Sequence, residues 1–442
     1  MAERRLVVEL HGERIGELVG TAASFDFDAD EAAIREYGLG STAMSLAVPL
    51  VPRRTSSQRR LRANFFAELL PEGRARERLA AEAGVRPDDV VGMLAAYGRD
   101  VAGALQIWDP ELPGEPRTPA IERVDDQGVR QMLEDVGRAP LGNKPRRGKT
   151  SLNGVQSKIV LARTEGGWAR AVDGYPSTHI VKPVVPDHPT MIFDEEYGAR
   201  FARALGLADF DTRIETFDGV SALVIERYDR SPDTPDGRIH QEDFSQILGL
   251  AGDDKYETFG AVGLDQVARR LRRPEHERLL RMVTLSVAVG NLDLHAKNIS
   301  VLHPRDGEVR LAPMYDVVPQ THEDNDGEMA FRIGGEFEHR LLTRQHLLDE
   351  ANRWRLRHPA SVVDAVLEAV RDVAERETPH PGAHPGLKHT VLRFVDNLTA
   401  GRAAGDDGDG RFDPAPAAGA GLPTSGGWIA AGRPVGTRPP HS

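Results

Sequence analysis

The chain has 442 residues, enough for roughly two or three domains that each bury a core, with an ordinary soluble balance of 40% hydrophobic and 28% charged residues. A formal net charge of −12 excludes a chain that binds nucleic acid over its whole surface by general electrostatics, leaving only a local basic patch. The absence of cysteine excludes disulfides, thiolate metal sites and a cysteine nucleophile.

The first residues, Met-Ala-Glu-Arg-Arg-Leu-Val-Val-Glu-Leu, contain an apolar run that Glu9 interrupts, which reads as a strand and not a signal peptide. Strands at 5–10 and 15–19 flank His11-Gly12-Glu13-Arg14 as a hairpin, and 45–51 reads as a further strand. Residues 64–85 carry apolar positions at helical spacing, broken by Pro71. Gly98 to Ile107 reads as a turn feeding a strand, and Pro110, Pro113, Pro116 and Pro119 mark a linker. A helix is expected over 121–137, then a mobile loop over 139–150 rich in Pro, Gly and basic residues. Strands follow at 156–163 and 177–183, a helix from about 190 to 205 ending at Gly206, and strands at 213–217 and 221–227. From 240 the pattern turns helical, with a strongly apolar helix at 276–290, a small hairpin at 301–302 and 309–311, and helices at 343–356, 359–377 and 385–400. The longest apolar run, around 282–289, is too short to span a bilayer, so the expectation is a soluble cytoplasmic protein with no membrane association. Beyond about 403 the composition shifts to Gly, Ala, Pro and Asp, which cannot bury enough apolar area to offset ordering entropy, and a disordered tail is expected.

The chemistry concentrates in Asp293-Leu294-His295-Ala296-Lys297-Asn298, followed by Tyr315-Asp316. A lone loop Asp or Asn is ordinarily a turn former. Here Asp293, Asn298 and Asp316 stand in the order and at the spacing of a phosphoryl-transfer centre, in which a loop Asp takes the hydroxyl proton while an Asn and a later Asp hold metal. Mg²⁺ suits such a set because it prefers hard oxygen ligands. His295 and Lys297 could contact phosphate. Lys182 ends an apolar strand, where a lysine is usually an edge residue, but in a nucleotide site it reaches the α/β-phosphates and is oriented by a helix carboxylate, here Glu195 or Glu196. Residues 151–158, Ser-Leu-Asn-Gly-Val-Gln-Ser-Lys, can cover phosphates through backbone N–H groups. Gly148-Lys149-Thr150 is not a Walker A loop, because Gly142 and Gly148 enclose five residues including Pro145 and no strand precedes them. Glu226-Arg227-Tyr228-Asp229 ends a strand where a hinge would meet adenine.

With these residues assembled, the chain resembles the HipA family of serine/threonine kinases, the toxin components of bacterial toxin–antitoxin pairs, over roughly residues 5–400. The resemblance rests on Gly98-Arg99-Asp100, the 151–158 stretch, Thr178-His179-Ile180-Val181-Lys182, Glu226 to Arg230, Gln241-Glu242-Asp243, Asp293 to Asn298, and Tyr315-Asp316-Val317. It implies an α+β, two-lobed protein-kinase-like fold with an N-terminal α+β subdomain (1–115), a strand-rich lobe with the phosphate loop (116–232), an all-helical C-terminal lobe with the catalytic and metal residues (233–402), and the tail (403–442). It further implies Asp293 as catalytic base and Asn298 and Asp316 as Mg²⁺ ligands. ATP would be held by Asn153, Gly154, Val155, Gln156, Ser157, Lys158, Lys182, Glu226, Arg227, Tyr228, His295, Ala296, Lys297, Asn298 and Tyr315. Ser151 matches the position of regulatory autophosphorylation, with Thr150 adjacent, and a phosphate there would add about −1.5 to −2 charge. The implied partners are a HipB-like helix-turn-helix antitoxin, operator DNA reached mainly through that antitoxin, and a protein substrate such as an aminoacyl-tRNA synthetase. Leu294 departs from the family pattern, which has a smaller or polar residue there.

Two other classes share parts of this pattern. A small-molecule phosphotransferase of the aminoglycoside-kinase type carries His two residues before the loop Asp, where this chain has Asn291. A catalytically silent corepressor module would have no use for Lys182, Asp293, Asn298 and Asp316 together.

Overall fold

The computed structural model describes residues 3–407 except 53–54, 144–149, 153, 155, 235, 261 and 306–307. Asn153 and Val155, most of the basic loop expected at 139–150, and the tail beyond 407 therefore lie outside the described residues.

The N-terminal module is an antiparallel sheet in the order β3-β2-β1-β4, from β1 (Arg4–Leu10), β2 (Glu13–Thr21), β3 (Ser24–Ala29) and β4 (Leu105–Trp108). Alternation sets its inner face: Leu6, Val8 and Leu10 of β1 are buried with Ile15 and Leu18 of β2. Helices α1 (Glu31–Tyr37), α2 (Arg59–Ala67), α3 (Gly73–Ala83) and α4 (Val90–Tyr97) complete the module, and Pro71 stands between α2 and α3 as expected of a helix breaker. The strand expected at 45–51 does not form. The Ser45 hydroxyl accepts from the N–H groups of Ala47 and Val48 and donates to Glu242 at 2.6 Å, so a local side-chain turn replaces a ladder.

The second layer is a six-stranded antiparallel sheet of order β5-β7-β6-β8-β10-β9. Its strands are β5 (Ala120–Arg123), β6 (Ile159–Thr164), β7 (Gly167–Val172), β8 (His179–Pro183), β9 (Thr212–Phe217) and β10 (Val220–Glu226). The helix expected over 121–137 is instead β5 followed by α5 (Asp126–Glu134), whose start is set by Asp125 accepting from Gly128 N at 2.9 Å. Helix α6 (Met191–Ala204) crosses from this sheet to the C-terminal lobe.

The C-terminal lobe contains α7 (Phe244–Leu248), α8 (Leu264–Arg270), α9 (Arg273–Val289), α10 (Arg344–Arg353), α11 (Pro359–Arg376) and α12 (Leu387–Thr399). The expectation of an all-helical lobe is corrected: β11 (His240–Asp243), β12 (Ser300–His303) and β13 (Arg310–Leu311) form one sheet, and β14 (Glu328–Ile333) pairs with β15 (Glu336–Glu338). Strand β11 lacks apolar alternation because its inward carboxylate, Glu242, is satisfied by Ser45, Leu46 N and His303. Residues Leu279, Leu280 and Met282 to Val289 of α9 are all buried, so this helix is the lobe's axis. It ends at Gly290, whose φ of 75° provides a left-handed cap and turns the chain into the Asp293 loop. Residues 403–407, expected to begin the tail, dock instead: Ala404 N donates to Leu342 O at 2.7 Å, and Asn397 Nδ2 donates to Ala404 O at 3.0 Å. Among the described residues no helix is long and apolar enough to cross a membrane.

The N-terminal module is tied to the strand-rich lobe by one buried ionic knot. Asp100 accepts from Arg230 Nη2 (2.9 Å), Ser177 Oγ (2.7 Å) and Thr150 Oγ1 (3.2 Å). Asp229 accepts from Arg227 (2.9 and 2.8 Å) and from Gly103 N (2.7 Å), and pairs with Arg230 at 2.9 Å. Burial alone raises the Asp229 carboxyl, but Arg227 and Arg230 overcome it and hold it well below the ordinary carboxylate range. Asp100 shows the same balance of burial against Arg230, Arg227 and Arg238, with a net lowering.

Asp100→Ala strands buried guanidinium charge and should lower unfolding free energy by about 3–5 kcal/mol in a denaturant titration. A carboxyl whose folded pKa is depressed contributes stability above its unfolded value of about 4 and loses it as pH falls toward the folded one. The thermal midpoint of the wild type should therefore drop on acidification below about pH 5, whereas Asp229→Asn starts lower at neutral pH and should lose less over the same range.

Candidate active site

The sheet, α6 and the loop after α9 enclose a cleft of about 620 Å³. Gly154, Gln156, Ser157, Lys158, Lys182, Glu226, Arg227, Tyr228, Asp293, His295, Lys297, Asn298, Tyr315 and Asp316 all line it. The geometry thus brings residues from well-separated parts of the chain into one cavity. Ala296 is different: it is fully buried in the C-lobe core and is not among the lining residues.

Lys182 projects from β8, next to β10 in the sheet, and its Nζ lies 2.7 and 2.9 Å from the Glu195 oxygens and 2.7 Å from Asp316 Oδ1. Of the candidate helix carboxylates, Glu195 is the partner, while Glu196 pairs with Arg200 on the same helix at 2.7 Å. The pairing depends on how closely α6 approaches the segment after Asp316. A Cβ built on Gly198 would sit 1.9 Å from Val317 O, so only glycine allows that approach. Asp316 itself has φ of 57°, a left-handed conformation unusual for a non-glycine residue and of a kind that clusters at functional sites. Burial raises Asp316, but Lys182 and Lys158 outweigh it and bring it down to about 2. Burial pushes Glu195 up to about 7 against the pull of Lys182. Lys182, penalised by burial, is held protonated by Asp316 and Glu195.

The catalytic-type loop is built around its own backbone. Asn298 Nδ2 donates to Asp293 O at 2.8 Å, which leaves Oδ1 as the amide's acceptor atom. Burial raises the Asp293 carboxyl to about 7, with Asp316 and Glu72 adding to it and Lys255 and the Tyr256 hydroxyl opposing. Tyr256 Oη donates to Asp293 Oδ1 at 3.1 Å, and His295 Nε2 lies 3.8 Å from Oδ2. The side chain of Asp293 nevertheless stays 28% exposed to the cleft. His295 is driven down to about 3 by burial and the nearby Lys255, so its imidazole is neutral. Lys297 is turned away from solvent onto Glu68 and Glu72 of the N-terminal module. Lys255 pairs with Glu72 at 3.0 Å. Tyr256, Lys255 and Glu72 lie outside the set expected from sequence; a Lys-Tyr pair in a Gly/Asp-rich loop and a glutamate after a proline carry no local signal of a site.

The opposite wall is aromatic and apolar. Tyr228 and Tyr315 stack at 5.5 Å between centroids, with Phe210 5.8 Å from Tyr228. Tyr228 Oη donates to Gln241, and Tyr315 Oη donates to Lys297 O at 2.7 Å. The Arg227 guanidinium points into the ionic knot, so at 227 the backbone and not the side chain is left to meet a planar ligand. Ser151 is fully buried, and its Oγ donates to Leu69 O at 2.8 Å.

Comparison with known proteins matches residues 150–377 to the family described as HipA-like C-terminal domain and residues 6–108 to the HipA N-terminal domain. The putative kinase Y4mE of Sinorhizobium fredii is 34% identical over 309 residues, covering 66% of this chain and 72% of the relative. The serine/threonine-protein kinase toxin HipA of Shewanella oneidensis is 28% identical over 358 residues, covering 76% of this chain and 80% of the relative. Among solved structures, HipA in the Shewanella oneidensis complex with HipB and operator DNA aligns with a TM-score of 0.71 at 22% identity, over 89% of this chain and 97% of that one.

Lys182→Met removes the cation that bridges Glu195 and Asp316 and leaves the buried Glu195 facing the partly exposed Asp316. Its unfolding free energy should fall, by less than the roughly 3–5 kcal/mol of a fully buried broken pair because Asp316 is partly solvated, read by calorimetry or denaturant.

Proposed function

Since the chain belongs to the HipA family of serine/threonine kinases, we propose that it transfers the γ-phosphoryl group of Mg-ATP to a protein serine or threonine, as the toxin of a toxin–antitoxin pair. The observation that carries this reading is Lys182 bridging Glu195 and Asp316 in the same cleft as Asp293. A lysine–helix-glutamate pair and a metal-holding aspartate are the parts a kinase site must assemble together.

Asp293 is the general base. A carboxyl raised to about 7 is matched to accepting a hydroxyl proton near neutral pH, and its partial exposure leaves room for that hydroxyl. Tyr256 holds Oδ1, so Oδ2 is the oxygen that takes the proton. Asn298 and Asp316 are the metal ligands. Among the described residues no group of three or more His, Cys, Asp or Glu could hold a metal by itself. That fits Mg²⁺, which is bound by one or two protein oxygens and completes its shell with water and substrate phosphates. When bound, Mg²⁺ neutralises charge on the β- and γ-phosphates. Lys182 orients the α/β-phosphates, Gly154 and Gln156 to Lys158 cover them, and the 226–228 backbone with Tyr228 and Tyr315 receives adenine.

Ser151 is the proposed autophosphorylation site. Its buried hydroxyl has no room for a phosphate where it lies, so the modification requires Ser151 to leave Leu69 O. The proposed partner is a HipB-like helix-turn-helix antitoxin, with operator DNA contacted mainly through it, in keeping with a net charge of −12. The proposed substrate class is a translation component such as an aminoacyl-tRNA synthetase.

Asp293→Ala should reduce phosphoryl transfer about 10²–10⁴-fold while a fluorescent ATP analogue still binds, and full activity in that variant would remove Asp293 as base. Ser151→Ala should abolish most of the phosphate mass increment seen by intact-mass spectrometry after incubation with Mg-ATP; persistence of the shift at unchanged stoichiometry moves the site, with Thr150 first to check.

A further inference from the structure

The catalytic-type loop is not closed by the kinase lobes alone. Its two lysine neighbours are both held by the N-terminal module, at the corner between α2 and α3. Glu72, the residue before α3, pairs through Oε2 with Lys255 Nζ at 3.0 Å and through Oε1 with Lys297 Nζ. Glu68, four residues earlier, takes Lys297 from the other side. Lys255 immediately precedes Tyr256, whose hydroxyl holds Asp293 Oδ1 at 3.1 Å and whose ring meets His295 edge-on at 5.1 Å. Lys297 immediately precedes Asn298, whose amide holds Asp293 O at 2.8 Å. Both lysine side chains are only 6% exposed, so neither is paired through solvent.

From this geometry we infer that Glu72 is a positioning residue for Asp293. It fixes Lys255 beside the loop and Lys297 within it, and through Tyr256 and Asn298 it sets the orientation of the base. The N-terminal module is thereby a working part of the phosphoryl-transfer site and not only a docking platform. The inference rests on the kinase reading given above. Its physical logic is that an exposed loop carboxylate samples several rotamers, whereas a hydrogen-bonded one is held near the attack geometry, where misplacement by about 1 Å costs on the order of 10² in rate. Lys297 is accordingly a tether within the loop: its ammonium is occupied by two carboxylates and is not the group that meets a phosphate in this conformation.

The test uses the full chain with Mg-ATP, reading phosphoryl transfer to dephosphorylated casein and to water. Glu72→Gln and Tyr256→Phe should each lower kcat at least about tenfold and leave KM for ATP within about twofold. Glu72→Asp, which keeps the charge, should recover to within about threefold of wild type. The double variant should be no more than about threefold worse than the poorer single, because both act through the same carboxylate. In the nucleotide-free chain, Glu72→Gln should also speed amide exchange across residues 291–298 at least about tenfold while leaving 226–228 unchanged. Glu72→Gln with kcat within about twofold of wild type, a loss carried wholly by KM, or multiplicative effects in the double variant would overturn the inference. If Glu72→Gln does not fold, Glu72→Asp and Tyr256→Phe decide it. A wild type that transfers no phosphate strikes the kinase reading instead, and the exchange measurement then decides the clamp by itself.

Discussion

The placement of the N-terminal module against the strand-rich lobe depends on the buried knot of Asp100 and Asp229 with Arg227 and Arg230. Isolated buried ion pairs contribute little net stability, because desolvation consumes most of the Coulombic gain. What such a knot supplies is specificity of placement. Asp100 comes from the N-terminal module and Asp229 and the arginines from the end of β10, while Ser177, which bonds both Asp100 and Arg227, precedes β8. No member can shift without exposing another member's charge to an apolar interior. The same bonds draw the Arg227 side chain out of the cleft, leaving its backbone on that stretch of the wall.

From that fixed frame the chemistry is a matter of how closely α6 can approach the segment after Asp316. Lys182 needs both Glu195 and Asp316 within hydrogen-bond reach, and the helix reaches that far because Gly198 has no side chain to strike Val317 O. A glycine in a helix interior costs about 1 kcal/mol relative to alanine. Here the loss is offset by a contact that assembles the charged centre. The left-handed backbone of Asp316 belongs to the same constraint, since it turns the carboxylate back toward Lys182 while the chain runs on beneath α6.

Much of this was legible in the chain. The long apolar helix before the Asp293 loop, the β8 and β10 strands, and the placement of Lys182 on β8 follow from periodicity and motif order, because each element buries an apolar face, α9 in the C-terminal lobe and Val181 of β8 with Ala222 and Val224 of β10 in a separate cluster. Two of the misread segments, β11 and residues 403–407, share a cause: their structure is set by polar contacts to distant residues. Strand β11 carries no apolar alternation, as Glu242 is satisfied by Ser45, 197 positions away in the chain, and by His303. Residues 403–407 look like tail by composition, yet their backbone is hydrogen-bonded to 340, 342 and 397. In the site, Tyr256 and Glu72 gain meaning only from Asp293 and Lys297, and no spacing rule links residues so far apart.

The α2–α3 corner joins the two halves of this picture. Within a few residues it offers Leu69 O to the Ser151 hydroxyl, Glu68 to Lys297, and Glu72 to both Lys255 and Lys297. Pro71 restricts the backbone between these contacts, so they are mechanically linked and not independently adjustable. Any rearrangement that frees Ser151 must break its bond to Leu69, in the same stretch that holds the lysines beside Asp293. The Ser151 segment and the Asp293 loop are therefore both held by one short piece of the N-terminal module, through packed, hydrogen-bonded neighbours and not through solvent.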